Sequence, residues 1–185
     1  MQAARELAST KSSNQRENDM KLKINVIVGA VLLGVGAIGL VGATPIVGLT
    51  SPFLSVGTAA KPIDTHGVTQ APDGDWFNVR LTTDGPSNIS FQEFAITANG
   101  HNGWHSHPGM VAVTVLTGTI QWYDENCKPT TYKAGDSWTE GSQPHYFRNI
   151  GEGTAQLTAI FVVAKGAAYR IDRSAPACAI GLGLE

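Results

Sequence analysis

From position 61 onward the chain alternates apolar and polar residues in short runs broken by turn signals, the period-two signature of half-buried strands. Trp76–Thr82 sets Phe77, Val79 and Leu81 against Trp76, Asn78, Arg80 and Thr82. Asp84-Gly85-Pro86 marks a turn, and Ile89–Thr97 is the next run. Met110–Leu116 places Val111, Val113 and Val115 on one face, and Thr119–Tyr123 follows Gly118 so closely that the pair predicts a hairpin. Asn126–Thr130 reads as a loop carrying Cys127. Further short strands hold Tyr132, Trp138 and His145–Arg148, separated by Ala134-Gly135-Asp136 and Gly141-Ser142. Leu157–Ala164 is a near-continuous apolar run and predicts a core strand. Many short strands at regular spacing predict an all-β antiparallel sandwich or barrel over residues 61–185, with no internal repeat and no second domain.

The first third of the chain has a different pattern. Residues 1–19 are polar, mixed in charge and aperiodic, and are expected to be disordered or to precede the true start at Met20. Residues 20–43 begin with Lys21 and Lys23 and continue as a long uncharged run. That is the form of a cleaved secretory signal, with Val41-Gly42-Ala43 offering small residues for cleavage. It is also the length of a retained membrane-anchor helix, whose lysines would keep its start cytoplasmic. Either places the domain outside the cytoplasm, secreted, periplasmic or on the cell surface; a buried soluble helix is the third alternative. Residues 44–60 carry Pro45, Gly48, Pro52 and Gly57 with no charge, and predict an extended arm able to lie along a sheet edge.

Composition narrows the function classes. With 13 Lys and Arg against 15 Asp and Glu, no basic excess points to nucleic acid. A membrane partner is expected only if the N-terminal helix is retained. The two cysteines, Cys127 and Cys178, make no C-x-x-C, so a zinc ribbon or thioredoxin-type site is not expected. In an exported chain they read as a disulfide; otherwise they are two unrelated thiols.

The candidate chemistry lies in Gly100–Gly118, GHNGWHSHPGMVAVTVLTG. Residues i and i+2 of a strand face the same way, so His105 and His107 offer two imidazoles on one wall. His145, in GSQPHYFRN, is the candidate for a third from a facing strand. Ser106 faces the other way, and neither a Ser-His-Asp set nor a phosphate-cradling glycine loop is evident.

These residues resemble the cupin family over roughly residues 58–172. Gly100, His105, His107 and Gly118 stand as in its first motif, and Gly135, His145 and Asn149 as in its second. The sequence departs from the pattern where Val111 (or Ala112) holds the glutamate's place, and where Glu140 and Ser142 replace a proline and a glycine. The resemblance implies a double-sheet jelly-roll barrel with a divalent transition metal on His105, His107 and His145. It also implies a small-molecule ligand and a possible homodimer. Imidazole donors suit zinc, iron, copper or nickel better than magnesium or calcium, and manganese stands beside them among the candidate ions. The function implied is a metal-dependent oxygenase or isomerase on a small organic molecule. The alternative is a non-catalytic module that binds a small ligand or a metal; the competing role for the histidines is hydrogen bonding in a metal-free pocket. Glu93 and Glu140 are the candidates for a replacement carboxylate, each by default a solvated surface charge. Trp104, Gln121, Tyr123, Trp138 and Phe147 are the candidate cavity lining, with core filling as the competing role. His101 is expected in a loop, His66 on the surface, and Asn149 in a turn held by its amide.

Overall fold

A computed structural model describes residues 43–185, which lie in one compact unit. The export or anchor segment expected at 20–43 and the extension at 1–19 lie, except for Ala43, outside the described residues. Among the described residues no helix is long and apolar enough to cross a membrane.

The described residues are all-β apart from one short helix. Its strands are β1 (Val47–Thr50), β2 (Phe53–Ala59), β3 (Asp64–Gln70), β4 (Trp76–Thr82), β5 (Ser87–His101), β6 (His105–Ser106) and β7 (Met110–Thr117). There follow β8 (Thr119–Tyr123), β9 (Pro129–Lys133), β10 (Ser137–Glu140), β11 (Tyr146–Asn149), β12 (Ala155–Ala164) and β13 (Ile171–Asp172), then helix α1 (Ala177–Ile180). Nine strands form one sheet in the order β10-β7-β12-β5-β11-β8-β9, with β1 and β2 also on β5. The expected pair of sheets is therefore a single curled one, nearly closed as a barrel. The reason is β5: its 15 residues are long enough to pair with β12 along one stretch and with β11 at His101. The arm at 44–60 supplies β1 and β2, which run antiparallel to β5, so it joins the sheet rather than merely lying beside it. Strands β3 and β4 form a separate ribbon with Trp76, Phe77 and Val79 exposed.

The alternation read from the sequence fixes what faces inward. Val111, Val113 and Val115 of β7 pack against Ala155, Leu157, Ala159 and Phe161 of β12, with Ile96, Ile120, Trp138 and Phe147 completing the core. Gly118, between β7 and β8, has φ +89°, and a Cβ there would lie 2.6 Å from that of Ala155. Both the backbone and the space demand glycine. Gly118→Ala is expected to cost about 3 kcal/mol, strain and clash together, read as a lower denaturant midpoint with an unchanged slope.

A second cluster closes one end of the barrel, where Trp104, Tyr123, Cys127, Tyr146, Ala179 and Leu184 pack together. Trp104 holds both termini of the described chain. Its backbone N–H donates to Thr44 Oγ1 at 2.6 Å, and its indole Nε1 donates to the Leu184 carbonyl at 2.7 Å. Cys127 and Cys178 are joined in a disulfide across 51 residues of sequence, which ties α1 to the loop before β9. The chain-entropy account of such a loop gives about 4 kcal/mol. Cys178→Ser is expected to lose about 2–4 kcal/mol, with reduction of the native protein lowering Tm by a similar equivalent.

Candidate metal centre

His105 and His145 face each other directly across two strands. The His105 N–H donates to the His145 carbonyl at 3.0 Å, and the His145 N–H returns to the His105 carbonyl at 2.8 Å. The His107 N–H donates to the Gly141 carbonyl at 2.8 Å, which sets the second imidazole beside the same strand end. The three ring centroids are 4.4, 4.8 and 5.1 Å apart, and all three side chains are buried.

Glu140 joins them. It is the last residue of β10, 9% exposed, with Oε2 at 3.2 Å from both His107 Nε2 and His145 Nε2. One donor atom from each of His105, His107, Glu140 and His145 can be chosen so that all lie within 4.8 Å of one another. The expectation that Glu140 is a solvated surface charge is thus corrected, whereas Glu93 is exposed as expected. The register explains how the carboxylate arrives. Glu140 pairs with Val111 across β10 and β7, and Val111 occupies the glutamate's place in the motif. Directly opposed residues of an antiparallel pair point to the same face with Cβ atoms about 5 Å apart, so the carboxylate is supplied from the neighbouring strand.

Backbone carbonyls settle the tautomers, since a carbonyl can only accept. His105 Nδ1 donates to Gly103 O at 3.0 Å, His107 Nδ1 to Tyr169 O at 2.6 Å, and His145 Nδ1 to Gln143 O at 2.9 Å. Each Nε2 is left to the interior of the cluster. Glu140 is tethered in the same way from the far side, because its Oε1 accepts from Trp122 Nε1 at 3.0 Å and Trp138 Nε1 at 2.8 Å. Its Oε2 is thereby turned toward the imidazoles.

Three lone pairs and a carboxylate oxygen cannot face one another without positive charge among them. Protons meet part of the need. Burial pushes the His145 imidazole down, but the Glu140 carboxylate beside it outweighs burial and raises its pKa. Burial likewise pushes the Glu140 carboxyl up, yet the charge of His145 and the hydrogen bond with His107 hold it well below the carboxylate range. His105 is driven well below 6.5, first by burial and then by the charges of His145 and Arg170, and stays neutral. His145 Nε2 has no hydrogen-bond partner of acceptable geometry. One dication satisfies all four groups at once, so the donor set fits a metal.

A cavity of about 370 Å³ opens beside the cluster. Of the five side chains expected to line it, only Phe147 does. Trp138 sits in the core and anchors Glu140. Trp104 and Tyr123 belong to the end cluster, and Gln121 accepts from Tyr123 and Arg148 on that other face. The error is one of strand parity. On β8, Ile120 and Trp122 point to the core, so Gln121 and Tyr123 point away. Trp122, which stacks on His145 with centroids 6.1 Å apart, was findable by extending Ile120 by two. His101 stacks on Tyr146 outside the cluster, and His66 is exposed. Asn149 is structural as expected, its amide bonding to the carbonyls of Ile96, Thr97 and Gly153.

Comparison with known proteins agrees with this architecture. Residues 92–173 match the family model described as a cupin domain. That match supports a cupin superfamily protein, and the matched segment contains the candidate centre. No curated protein matches it. Similar solved structures include an uncharacterised Klebsiella pneumoniae protein with a double-stranded β-helix domain. It shares 20% identity, with 61% of this chain and 85% of that one covered and a TM-score of 0.40. An oxalate decarboxylase from Lactobacillus farciminis shares 21% identity over 45% of this chain and 26% of that one, TM-score 0.40. A polyketide cyclase from Streptomyces resistomycificus shares 17% identity over 43% and 62%, TM-score 0.36. The chain thus spans about a quarter of the decarboxylase and less than two thirds of the cyclase.

Proposed function

We propose that this domain holds one divalent transition metal through His105, His107, His145 and Glu140 and presents it to a small organic molecule in the adjoining cavity. The ion is zinc, iron, manganese, nickel or copper. The observation that carries this is the tethering. Three imidazoles pinned at Nδ1 by carbonyls and one carboxylate pinned at Oε1 by two indoles turn their remaining donors toward one another. Such outer partners orient ligands and raise their basicity.

When bound, the metal supplies Lewis acidity or a site for O2. The chain's own part is to bind, orient and exclude water. Glu140 is the only carboxylate among the described residues lining the cavity, and its two oxygens are committed. No free general base is therefore supplied, which favours oxygenase chemistry over proton-transfer isomerisation. The same observation supports a second reading, a non-catalytic cupin that captures a small ligand.

Oxygen uptake by the iron(II)-loaded protein, with a panel of diketones, flavonoids and thiols, separates the two. The oxygenase reading expects uptake with a panel member and none with His105→Ala. Saturable binding without uptake supports the capture module.

We also place the domain outside the cytoplasm. The Cys127–Cys178 disulfide and the apolar run after Lys23 support this. N-terminal sequencing of the protein from its host is expected to begin near Thr44 for a cleaved signal, or upstream of Lys21 for an anchor.

A further inference from the structure

The cavity carries polar groups that the metal reading leaves unused. Asn102, 3% exposed, accepts the Phe147 N–H on Oδ1 at 2.7 Å. A backbone N–H must face oxygen, so the amide orientation is settled and Nδ2 is the free end. Among the described residues that buried Nδ2 has no partner. Arg170 is fixed by Nε, which donates to Asp172 Oδ1 at 2.6 Å, and its buried Nη2 has no partner either. The buried hydroxyl of Tyr169 is the third such group. All three residues line the cavity that His105, His107 and Glu140 line. Buried polar atoms are normally paired, and three unspent ones on one cavity indicate a missing polar ligand.

Charge and shape say what kind. A dication with Glu140 leaves one positive charge, and the Arg170 guanidinium, its own charge balanced by Asp172, offers donors to an anion that neutralises it. Much of the remaining wall is hydrocarbon, from Leu49, Phe53, Phe94, Val113, Leu157 and Phe161. We propose that Arg170, Asn102 and Tyr169 form an anion-binding set of donors in this cavity, and that its ligand is a small monocarboxylate with an apolar body. A planar guanidinium and an amide N–H pair match the two oxygens of a carboxylate, and the apolar wall accepts the rest. The inference rests on the reading above for the total charge, but the three donors stand without it.

Phenylacetate and its neutral isostere phenylacetamide are the probes, titrated by calorimetry into zinc-loaded and metal-free protein. Phenylacetate is expected to bind at least about tenfold more tightly than the amide. Arg170→Met keeps the stem, and Asn102→Asp keeps the acceptor for Phe147 while turning the free end into a carboxylate. Each is expected to weaken phenylacetate at least about tenfold with its zinc content unchanged. Equal binding of the two probes, unchanged binding in both variants, or no binding at all overturns the anion site while the metal reading stands. If the wild type takes up no zinc, the metal reading fails separately. The Arg170→Met effect in metal-free protein then decides the inference, persisting if it is right and absent if it is wrong.

Discussion

His145→Ala is expected to weaken zinc binding about a hundredfold to a thousandfold, measured by competition with a chromogenic chelator. A four-ligand zinc site is worth about 10–16 kcal/mol, so one ligand accounts for roughly 2.5–4 kcal/mol, about a hundredfold to a thousandfold in Kd. The effect is local. The backbone pair between positions 105 and 145 uses only N–H and carbonyl groups, which alanine keeps. Far-ultraviolet circular dichroism should therefore be unchanged. An unchanged zinc affinity would remove His145 from the site, and with it the convergence of the facing strands.

The second large effect concerns Glu140, where two substitutions separate ligation from anchoring. Glu140→Gln keeps an oxygen for the indole donors of Trp122 and Trp138 and removes the charge. Zinc affinity is expected to fall about a hundredfold or more, with little change in the stability of metal-free protein. Glu140→Ala also strands two indole N–H groups, and an unpaired buried donor costs about 1–3 kcal/mol. Metal-free Glu140→Ala is accordingly expected to be about 2–5 kcal/mol less stable than Glu140→Gln, read by denaturant unfolding. Because Val111 sits opposite Glu140, Val111→Glu added to Glu140→Gln is expected to recover at least about tenfold of the lost affinity. Failure of that rescue, with folding intact, would show that the two positions are not interchangeable sources of the carboxylate.

Much of this was legible before any coordinates. Strand β4 coincides with the run read at Trp76–Thr82, β8 with Thr119–Tyr123, and β7 extends the run at Met110 by one residue. Each of these segments carries an apolar residue at every second position, and that is a local signal. The His105-x-His107 pair was legible for the same reason, and His145 through its motif. Glu140 was not, because its place depends on which residue of β7 lies opposite, a long-range register that no local pattern encodes. One clue existed. Trp138 and Glu140 are two apart on one strand, so an inward Trp138 carries Glu140 inward with it. The cavity lining was missed where aromatic character was weighed above parity. Trp104 and Tyr123 are buried, but in the end cluster rather than around the site. The extended reach of β5, which merges two expected sheets into one, also depends on pairing partners far along the chain.

The most direct test is the zinc content of the folded protein after loading and exhaustive dialysis, wild type beside His105→Ala, His145→Ala and Glu140→Gln. The tethered donor set requires about one equivalent per wild-type chain and little in each variant. The same negligible zinc in all four proteins would mean that the buried imidazoles and carboxylate serve each other alone, and that this barrel carries no metal centre.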